Sequence, residues 1–173
     1  MKKLINDELL SDITFNIEGR QIFAHKVILV TQCEHFQAML LNGMKESTSG
    51  IVDIPDWTYA SYLNMIEFLY SGNVSNFTPS VALELIGLAD AYNLDTLKRL
   101  CENTLIYSVD TENVCELLVH AHRHGAIELK TFCMNYIIKN FTKVNQSPSF
   151  ERLENVPNLL IEITRAVFSK RDC

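Results

Sequence analysis

Three histidines at alternate positions, His120, His122 and His124, are the strongest candidates for metal or catalytic chemistry in this sequence. On a helix, residues two apart point about 200° apart, so His122 cannot join the other two at one metal. His120 and His124 lie one turn apart and could share a ligand, as two histidines of a metalloprotease helix do. That motif needs a glutamate directly after the first histidine, where this chain has Ala121, and Cys115 does not complete a tetrahedral set. The pattern favours surface or capping histidines over a metal site.

Other catalytic signatures are weaker still. The six glycines form no phosphate-binding loop, and no G-x-S-x-G nucleophile turn occurs. A Cys–His nucleophile pair stays open, because such residues meet in space rather than in sequence, but nothing marks any cysteine as a thiol of low pKa. His25 directly follows a predicted strand, a position more typical of a core histidine than of a catalytic one. We expect no catalytic residue, no cofactor and no metal, and therefore a protein that is not an enzyme.

The cysteines indicate a reducing compartment. Their number is odd, their spacings are wide and no Cys-x-x-Cys occurs, which is typical of reduced thiols that act as small core hydrophobes. No signal peptide is expected, because Asn6-Asp7-Glu8 interrupts the first apolar run, and no run approaches 18 apolar residues. The sequence therefore predicts a cytoplasmic or nuclear protein without a membrane span. The five cysteines are Cys33, Cys101, Cys115, Cys133 and Cys173.

Composition and charge exclude several classes of protein. The 173 residues are 47% hydrophobic and 21% charged, with ten glycines and prolines together, so the chain is not disordered or collagen-like. The net charge of −6 argues against a general nucleic-acid binder, which needs basic side chains to displace phosphate counterions. All of this charge lies in residues 1–109, with 13 acidic and seven basic groups. A solvated surface is the simpler interpretation, and an acidic face for a basic partner is the alternative.

Hydrophobic periodicity predicts a few short strands followed almost entirely by helices. Alternating apolar residues at 13–17, a Glu18-Gly19 turn and the returning run 21–24 predict a hairpin, and 51–54 predicts a third strand. Helical spacing follows at 25–42, with a break at Cys33-Glu34, and at 59–70, 78–92 and 94–105. Thr78-Pro79 is a helix start and Ser71-Gly72 a helix end.

Beyond a weak boundary at Ser108-Val109-Asp110, helices are predicted near 114–124, 129–137 and 159–167, separated by a polar stretch at 142–158. Strands do not alternate with helices, so the fold is not doubly wound. The pattern predicts an α+β domain over residues 1–108 and an α-helical extension over 109–173.

Several blocks of this sequence resemble a BTB/POZ domain. They are S-D-I-T-F at 11–15, F-A-H-K-V-I-L at 23–29, H-F-Q-A-M-L at 35–40, F-L-Y-S-G-N-V at 68–74 and A-D-A-Y-N-L at 89–94. The resemblance covers about residues 4–108. Residues 110–141 are similar to the first helices of the BACK extension that often follows this domain. The region after Asp110 is shorter than a full BACK extension, and no repeat or MATH domain that would hold a substrate is present.

The resemblance implies a homodimer. In that family, the N-terminal apolar segment and the helix holding Ile28 form the dimer contact, and a charged pair near it matches Asp12 and Lys26. An apolar patch that precedes any element able to bury it locally also favours a partner surface, although it could instead fold back as a cap. The residues of that patch are Leu4, Ile5, Leu9 and Leu10.

The resemblance also implies cullin-3 as a partner. A subset of the family carries a hydrophobic-x-Glu motif at the position of Met44 and Glu46, and there it contacts the N-terminal region of cullin-3. Phe36 and Tyr92 are assigned to the same contact. Met44 can fill a shallow groove, and Glu46 can pair at its rim or at a helix N-terminus. An exposed loop with Met44 packed locally is the alternative.

The expected function is that of a homodimeric adaptor that bridges an unknown protein substrate to a cullin-3 ubiquitin ligase. The alternative is an oligomerisation or scaffold module that does not bind a cullin. An enzyme that uses the histidine cluster is the third hypothesis, for which no assembled set of ligands is present.

Overall fold

The computed structural model describes residues 4–41 and 50–169 and has the α+β fold that the sequence predicts. The strands are β1 (Ile13–Ile17), β2 (Arg20–Ala24) and β3 (Ile51–Asp53). The helices are α1 (Lys26–Gln32), α2 (Glu34–Leu41), α3 (Tyr59–Ser71), α4 (Pro79–Ala91), α5 (Asp95–Tyr107), α6 (Val114–Arg123), α7 (Ile127–Lys139), α8 (Phe141–Val144) and α9 (Pro157–Ser169), with a 3-10 helix at Pro148–Asn155. The chain divides into two compact units, residues 1–98 and 99–173. The predicted domain boundary at residue 108 stays a prediction.

The small sheet of the first unit is built on β1. Ile13, Phe15 and Ile17 point into the core, and the residues between them are half-buried, as the alternation predicts. β2 returns antiparallel to β1 through a turn in which Glu18 and Gly19 both have positive φ, 51° and 73°. β3 pairs with β1 in parallel on its other side, which gives the order β2-β1-β3.

Local signals set the ends of α3 and α4. Thr58 caps α3 by accepting a hydrogen bond from the Ser61 N–H, and Thr78 caps α4 in the same way from Val81. α3 ends at Gly72, whose φ of 72° is the left-handed conformation that glycine adopts without strain. In the part of the chain that the structure describes, no helix is long and apolar enough to cross a bilayer.

The second unit is a helical cluster in which α6 packs on α7. Its core includes Leu118, Leu129 and Ile163, all with no exposed surface. The 142–158 stretch, expected only to be polar, contains most of α8 and the whole 3-10 helix, which Ser147 caps by accepting a hydrogen bond from the Ser149 N–H. Each of these short elements buries a single apolar residue, too few to produce a detectable hydrophobic period.

A buried carboxylate from α5 lies at the N-terminal end of α7. Glu102 is 5% exposed, and its Oε2 accepts a hydrogen bond from the Leu129 N–H at 2.9 Å. Leu129 lies in the first turn of α7, where N–H groups have no partner within the helix, and a carboxylate also complements the positive end of the helix dipole. Glu102 is therefore a capping residue supplied from a different helix.

Replacing Glu102 by alanine is expected to lower the free energy of unfolding by about 2 kcal/mol, because the buried Leu129 N–H loses its acceptor. Glu102→Gln keeps a carbonyl oxygen and should lose about half as much. Urea unfolding followed by circular dichroism measures both. Asn103→Ala, at the exposed neighbouring position of α5, is the matched control. Equal stability of the Glu102→Ala and Asn103→Ala chains would show that this cap contributes nothing.

Candidate protein-interaction surfaces

The histidine cluster lies at the end of α6. The rings of His120 and His124 are 6.3 Å apart between centroids, and His122 is exposed on the same helix. Burial lowers the pKa of His120, and the nearby Glu116 carboxylate opposes that shift. Within residues 4–41 and 50–169, no three His, Cys, Asp or Glu side chains are grouped so that they could hold a metal ion.

The thiols of the described residues are buried and reduced. Cys33, Cys101, Cys115 and Cys133 are free, and Cys173 lies outside the described residues. Burial raises the pKa of each thiol, to about 12 for Cys101 and Cys133. Such thiols remain protonated at neutral pH, which makes them poor nucleophiles.

His25 is a core residue. It is 8% exposed, and the Tyr70 hydroxyl accepts from its backbone N–H at 2.8 Å. The same hydroxyl lies 2.8 Å from Nδ1 of the ring. Nε2 is buried and has no hydrogen-bond partner among the described residues. The expected core position is thus observed, with one ring nitrogen bonded.

The N-terminal segment, residues 4–12, exposes two adjacent leucines. Leu9 is 70% exposed and Leu10 is 79% exposed, whereas Leu4 and Ile5 are half-buried. Leu10 also has a φ of 65°, a left-handed conformation that is unfavourable for a branched side chain without a local hydrogen-bonding group. This leucine pair, Leu9 and Leu10, therefore lies outside the core, and the backbone of Leu10 is strained.

Asp12 joins the N-terminal segment to α1. Its Oδ1 accepts a hydrogen bond from the Lys26 backbone N–H at 2.7 Å, and its own N–H donates to the Ala24 carbonyl at 3.2 Å. Asp12 therefore caps α1, whose N-cap residue makes no side-chain cap. On α1, Val27 is 66% exposed and Ile28 is half-buried. The resemblance assigns Asp12, Lys26 and Ile28 to a dimer contact. Asp12 follows the leucine pair by two residues and bonds to Lys26, and Ile28 lies two residues further along α1.

An aromatic cluster connects the sheet to α2, α3 and α4. Its members are Phe15, Phe36, Tyr62 and Tyr92, with ring centroids 5.1–5.9 Å apart in the contacting pairs. The Tyr62 and Tyr92 hydroxyls share a hydrogen bond of 3.1 Å. Burial raises the pKa of both phenols, so both remain protonated at neutral pH.

Two of the predicted cullin-contact residues are buried. Phe36 has no exposed surface and Tyr92 is 7% exposed, so both mainly form the support beneath a surface. Met44 and Glu46 lie outside the described residues, in the stretch that follows α2. Leu41, the last residue of α2, is 64% exposed.

His35 is an exposed residue of this candidate surface to which the sequence assigns no role. Its ring lies 4.5 Å from the Tyr92 ring and 6.3 Å from the Phe36 ring, measured between centroids. The Cys33 thiol donates to the Tyr92 carbonyl at 3.5 Å and ties the start of α2 to the end of α4. A groove of about 640 Å³ opens beside this junction and is lined in part by Cys33, Glu34 and Leu94. Only the H-F pair at 35–36 hints at this arrangement in the sequence.

Comparison with known proteins identifies relatives of this chain. Armadillo BTB Arabidopsis protein 1 of Arabidopsis thaliana is 33% identical over 151 residues, which are 87% of this chain and 20% of that protein. Protein maternal effect lethal 26 of Caenorhabditis elegans is 32% identical over 164 residues, 94% of this chain and 42% of that protein. TD and POZ domain-containing protein 2 of Mus musculus is 28% identical over 162 residues, 92% of this chain and 44% of that protein. The chain spans less than half the length of each.

The family assignment rests on the first part of the chain. The BTB/POZ domain family matches residues 1–109, more than half of the sequence, and this range contains the sheet, the N-terminal segment and the aromatic cluster. BTB domains are interaction modules that mediate protein–protein contacts and oligomerisation. The chain belongs to the BTB/POZ family of protein-interaction domains.

Proposed function

We propose that this chain is a homodimeric adaptor of a cullin-3 ubiquitin ligase, in which the helices after residue 109 act as a BACK-like extension. It would bind a second copy of itself and the N-terminal region of cullin-3, and it would perform no chemistry. An unknown protein substrate would be brought to the ligase by the assembled protein. Buried, protonated thiols suit a reducing compartment, so we place the protein in the cytoplasm or the nucleus.

The exposed leucine pair supports the homodimer. Two adjacent leucines at 70% and 79% exposure form an apolar surface that burial against a partner would stabilise. The cap from Asp12 to Lys26 ties their segment to α1, which carries Ile28 and the exposed Val27. A two-fold contact uses the same patch on both copies, so one apolar patch is sufficient.

The surface of α2 supports the proposed binding of cullin-3. The His35 ring contacts the nearly buried Tyr92 ring in a tilted arrangement, and the exposed Leu41 immediately precedes the stretch that holds Met44 and Glu46. Tyr92 and Phe36 anchor α2 on the core, so the α2 end of that stretch has a firm support. An aromatic and apolar surface followed in sequence by a methionine and a carboxylate suits an amphipathic helical partner with basic groups.

Replacing both Met44 and Glu46 by alanine is expected to weaken binding of a cullin-3 N-terminal fragment by about 30-fold, because an apolar anchor and a charged contact are lost together. Isothermal titration of the purified chain with that fragment measures the dissociation constant. Lys45→Ala, which changes the residue between the two, should bind within about two-fold of the parent.

Two results would argue against this assignment in different ways. Undiminished binding by the Met44→Ala, Glu46→Ala chain would place the cullin contact elsewhere on the protein. A parent chain that dimerises but does not bind the cullin fragment at all would instead favour the oligomerisation or scaffold module, which the exposed leucine pair supports equally well.

A further inference from the structure

We infer that Asn6 is a positioning residue for self-association: its side chain holds the N-terminal segment on the edge of β2 so that Leu9 and Leu10 are presented to a second copy. This inference rests on the proposed homodimer and adds the residue that shapes its contact surface.

The carbonyl oxygen of the Asn6 side chain occupies an outward-facing site on an edge strand. Phe23 lies opposite Thr14 in the β1–β2 pair, and the Thr14 N–H bonds to Gly50 on the other side of β1. The alternation of an antiparallel ladder therefore turns the Phe23 N–H away from β1. Oδ1 of Asn6 accepts that N–H at 3.0 Å. The bond satisfies a backbone donor of a sheet edge and fixes the segment to it.

The amide nitrogen of Asn6 makes a second bond to a well-held partner. Nδ2 donates to the Tyr59 hydroxyl at 3.2 Å, and Tyr59 is 8% exposed at the start of α3. The Arg20 guanidinium lies 3.5 Å from the centroid of the Tyr59 ring, and Oε2 of Glu18 accepts the Tyr59 N–H at 3.0 Å. Asn6 thus bridges β2 and α3 through one hydrogen bond to each.

The rest of the segment is a short turn between two anchors. Oδ1 of Asp7 accepts the Leu9 N–H at 2.9 Å, and the Ser11 N–H and hydroxyl both donate to the Glu8 carbonyl, at 3.2 and 3.0 Å. Asp12 then fixes the far end on Ala24 and Lys26. These bonds use only the backbone and the polar side chains around the leucines. Leu9 and Leu10 themselves are left 70% and 79% exposed.

Asparagine suits this position for two reasons. Asn6 has a φ of 54°, and asparagine tolerates the left-handed conformation better than other residues with a side chain. Its amide is also both an acceptor for Phe23 and a donor for Tyr59, a combination that aspartate and alanine lack.

Comparison of Asn6→Ala with Asn93→Ala tests the inference. Asn93 is exposed and has the same φ of 54°, so both variants place alanine in the left-handed region. Asn6→Ala also loses its two side-chain hydrogen bonds and should lower the unfolding midpoint somewhat further. Dilution series in sedimentation equilibrium give the dimer dissociation constant. We expect it to rise about ten-fold or more for Asn6→Ala and to change within about two-fold for Asn93→Ala. Asn6→Asp, which keeps the acceptor for Phe23, should fall between them.

Hydrogen exchange of the Phe23 amide adds a direct readout. It should become faster in Asn6→Ala and stay unchanged in Asn93→Ala. A dimeric parent with an equally dimeric Asn6→Ala chain overturns the inference alone, and so do equal losses of dimer in the two alanine variants. A parent that stays monomeric at every concentration overturns the proposed homodimer and, with it, the role of Asn6.

Discussion

Replacing Phe36 by alanine is expected to lower the free energy of unfolding of the first unit by about 4 kcal/mol. Phe36 has no exposed surface, and its ring lies 5.7 Å from the Phe15 ring and 5.1 Å from the Tyr92 ring between centroids. Truncation removes a large buried side chain and leaves a cavity that two neighbouring aromatic rings cannot fill without moving. Urea unfolding monitored by circular dichroism measures the loss.

Two variants distinguish the core role of Phe36 from a partner contact by His35. Phe36→Leu retains most of the buried volume and should lose less than half as much stability. His35→Ala, at the exposed neighbouring position, should change stability by less than about 0.5 kcal/mol yet weaken binding of the cullin-3 fragment. A Phe36→Asp or Phe36→Ser chain with the same free energy of unfolding as the parent would contradict the core position of this ring.

Replacing the leucine pair, as Leu9→Ser with Leu10→Asn, is expected to raise the dimer dissociation constant by about 1,000-fold. In a two-fold contact each leucine occurs twice, so the change removes four apolar side chains from one interface. Asparagine at position 10 also suits the φ of 65°, so the variant monomer should be at least as stable as the parent. Sedimentation equilibrium over a dilution series gives the dissociation constant.

Ile127→Ser is the matched control for the leucine pair. Ile127 is 75% exposed at the start of α7, so the change removes an exposed apolar side chain of similar size from the second unit. Its dimer should dissociate as the parent's does. Unchanged dimerisation by the Leu9→Ser, Leu10→Asn chain would show that the exposed leucines do not form the contact.

The sequence predicts the elements whose signals are local. The alternation at 13–17, the Thr78-Pro79 start of α4 and the Gly72 end of α3 all depend on residues within one turn of the chain, and the structure confirms each. The predicted break at Cys33-Glu34 is also observed, because Cys33 has an extended backbone (φ −146°, ψ 117°) that ends α1 before α2 begins at Glu34.

Bonds between distant residues lie beyond such reasoning. Asp12 caps α1, Glu102 caps α7 and Asn6 holds the edge of β2, and each partner is 14 to 27 residues away in sequence. Nothing in the identity of a single Asp, Glu or Asn indicates which helix end or strand edge it will satisfy. These three polar residues became interpretable only from their contacts.

The candidate site divides in the same way. A motif match places Phe36 and Tyr92 near a partner contact, but it cannot distinguish a side chain that touches the partner from one that supports the surface. Burial shows that Phe36 and Tyr92 support the surface. It also indicates His35 as an exposed contact candidate, because its ring lies 4.5 Å from the Tyr92 ring between centroids. The contact by Met44 and Glu46 stays a prediction from sequence, because both residues lie outside the described part of the chain.

Light scattering of the chain, alone and mixed with a cullin-3 N-terminal fragment, tests the account most directly. The proposed homodimeric adaptor should elute alone at twice the 19.8 kDa chain mass and, in the mixture, as a complex of two chains with two cullin fragments. A chain that elutes at 19.8 kDa and does not co-elute with the fragment at micromolar concentrations would contradict both the dimer and the adaptor function.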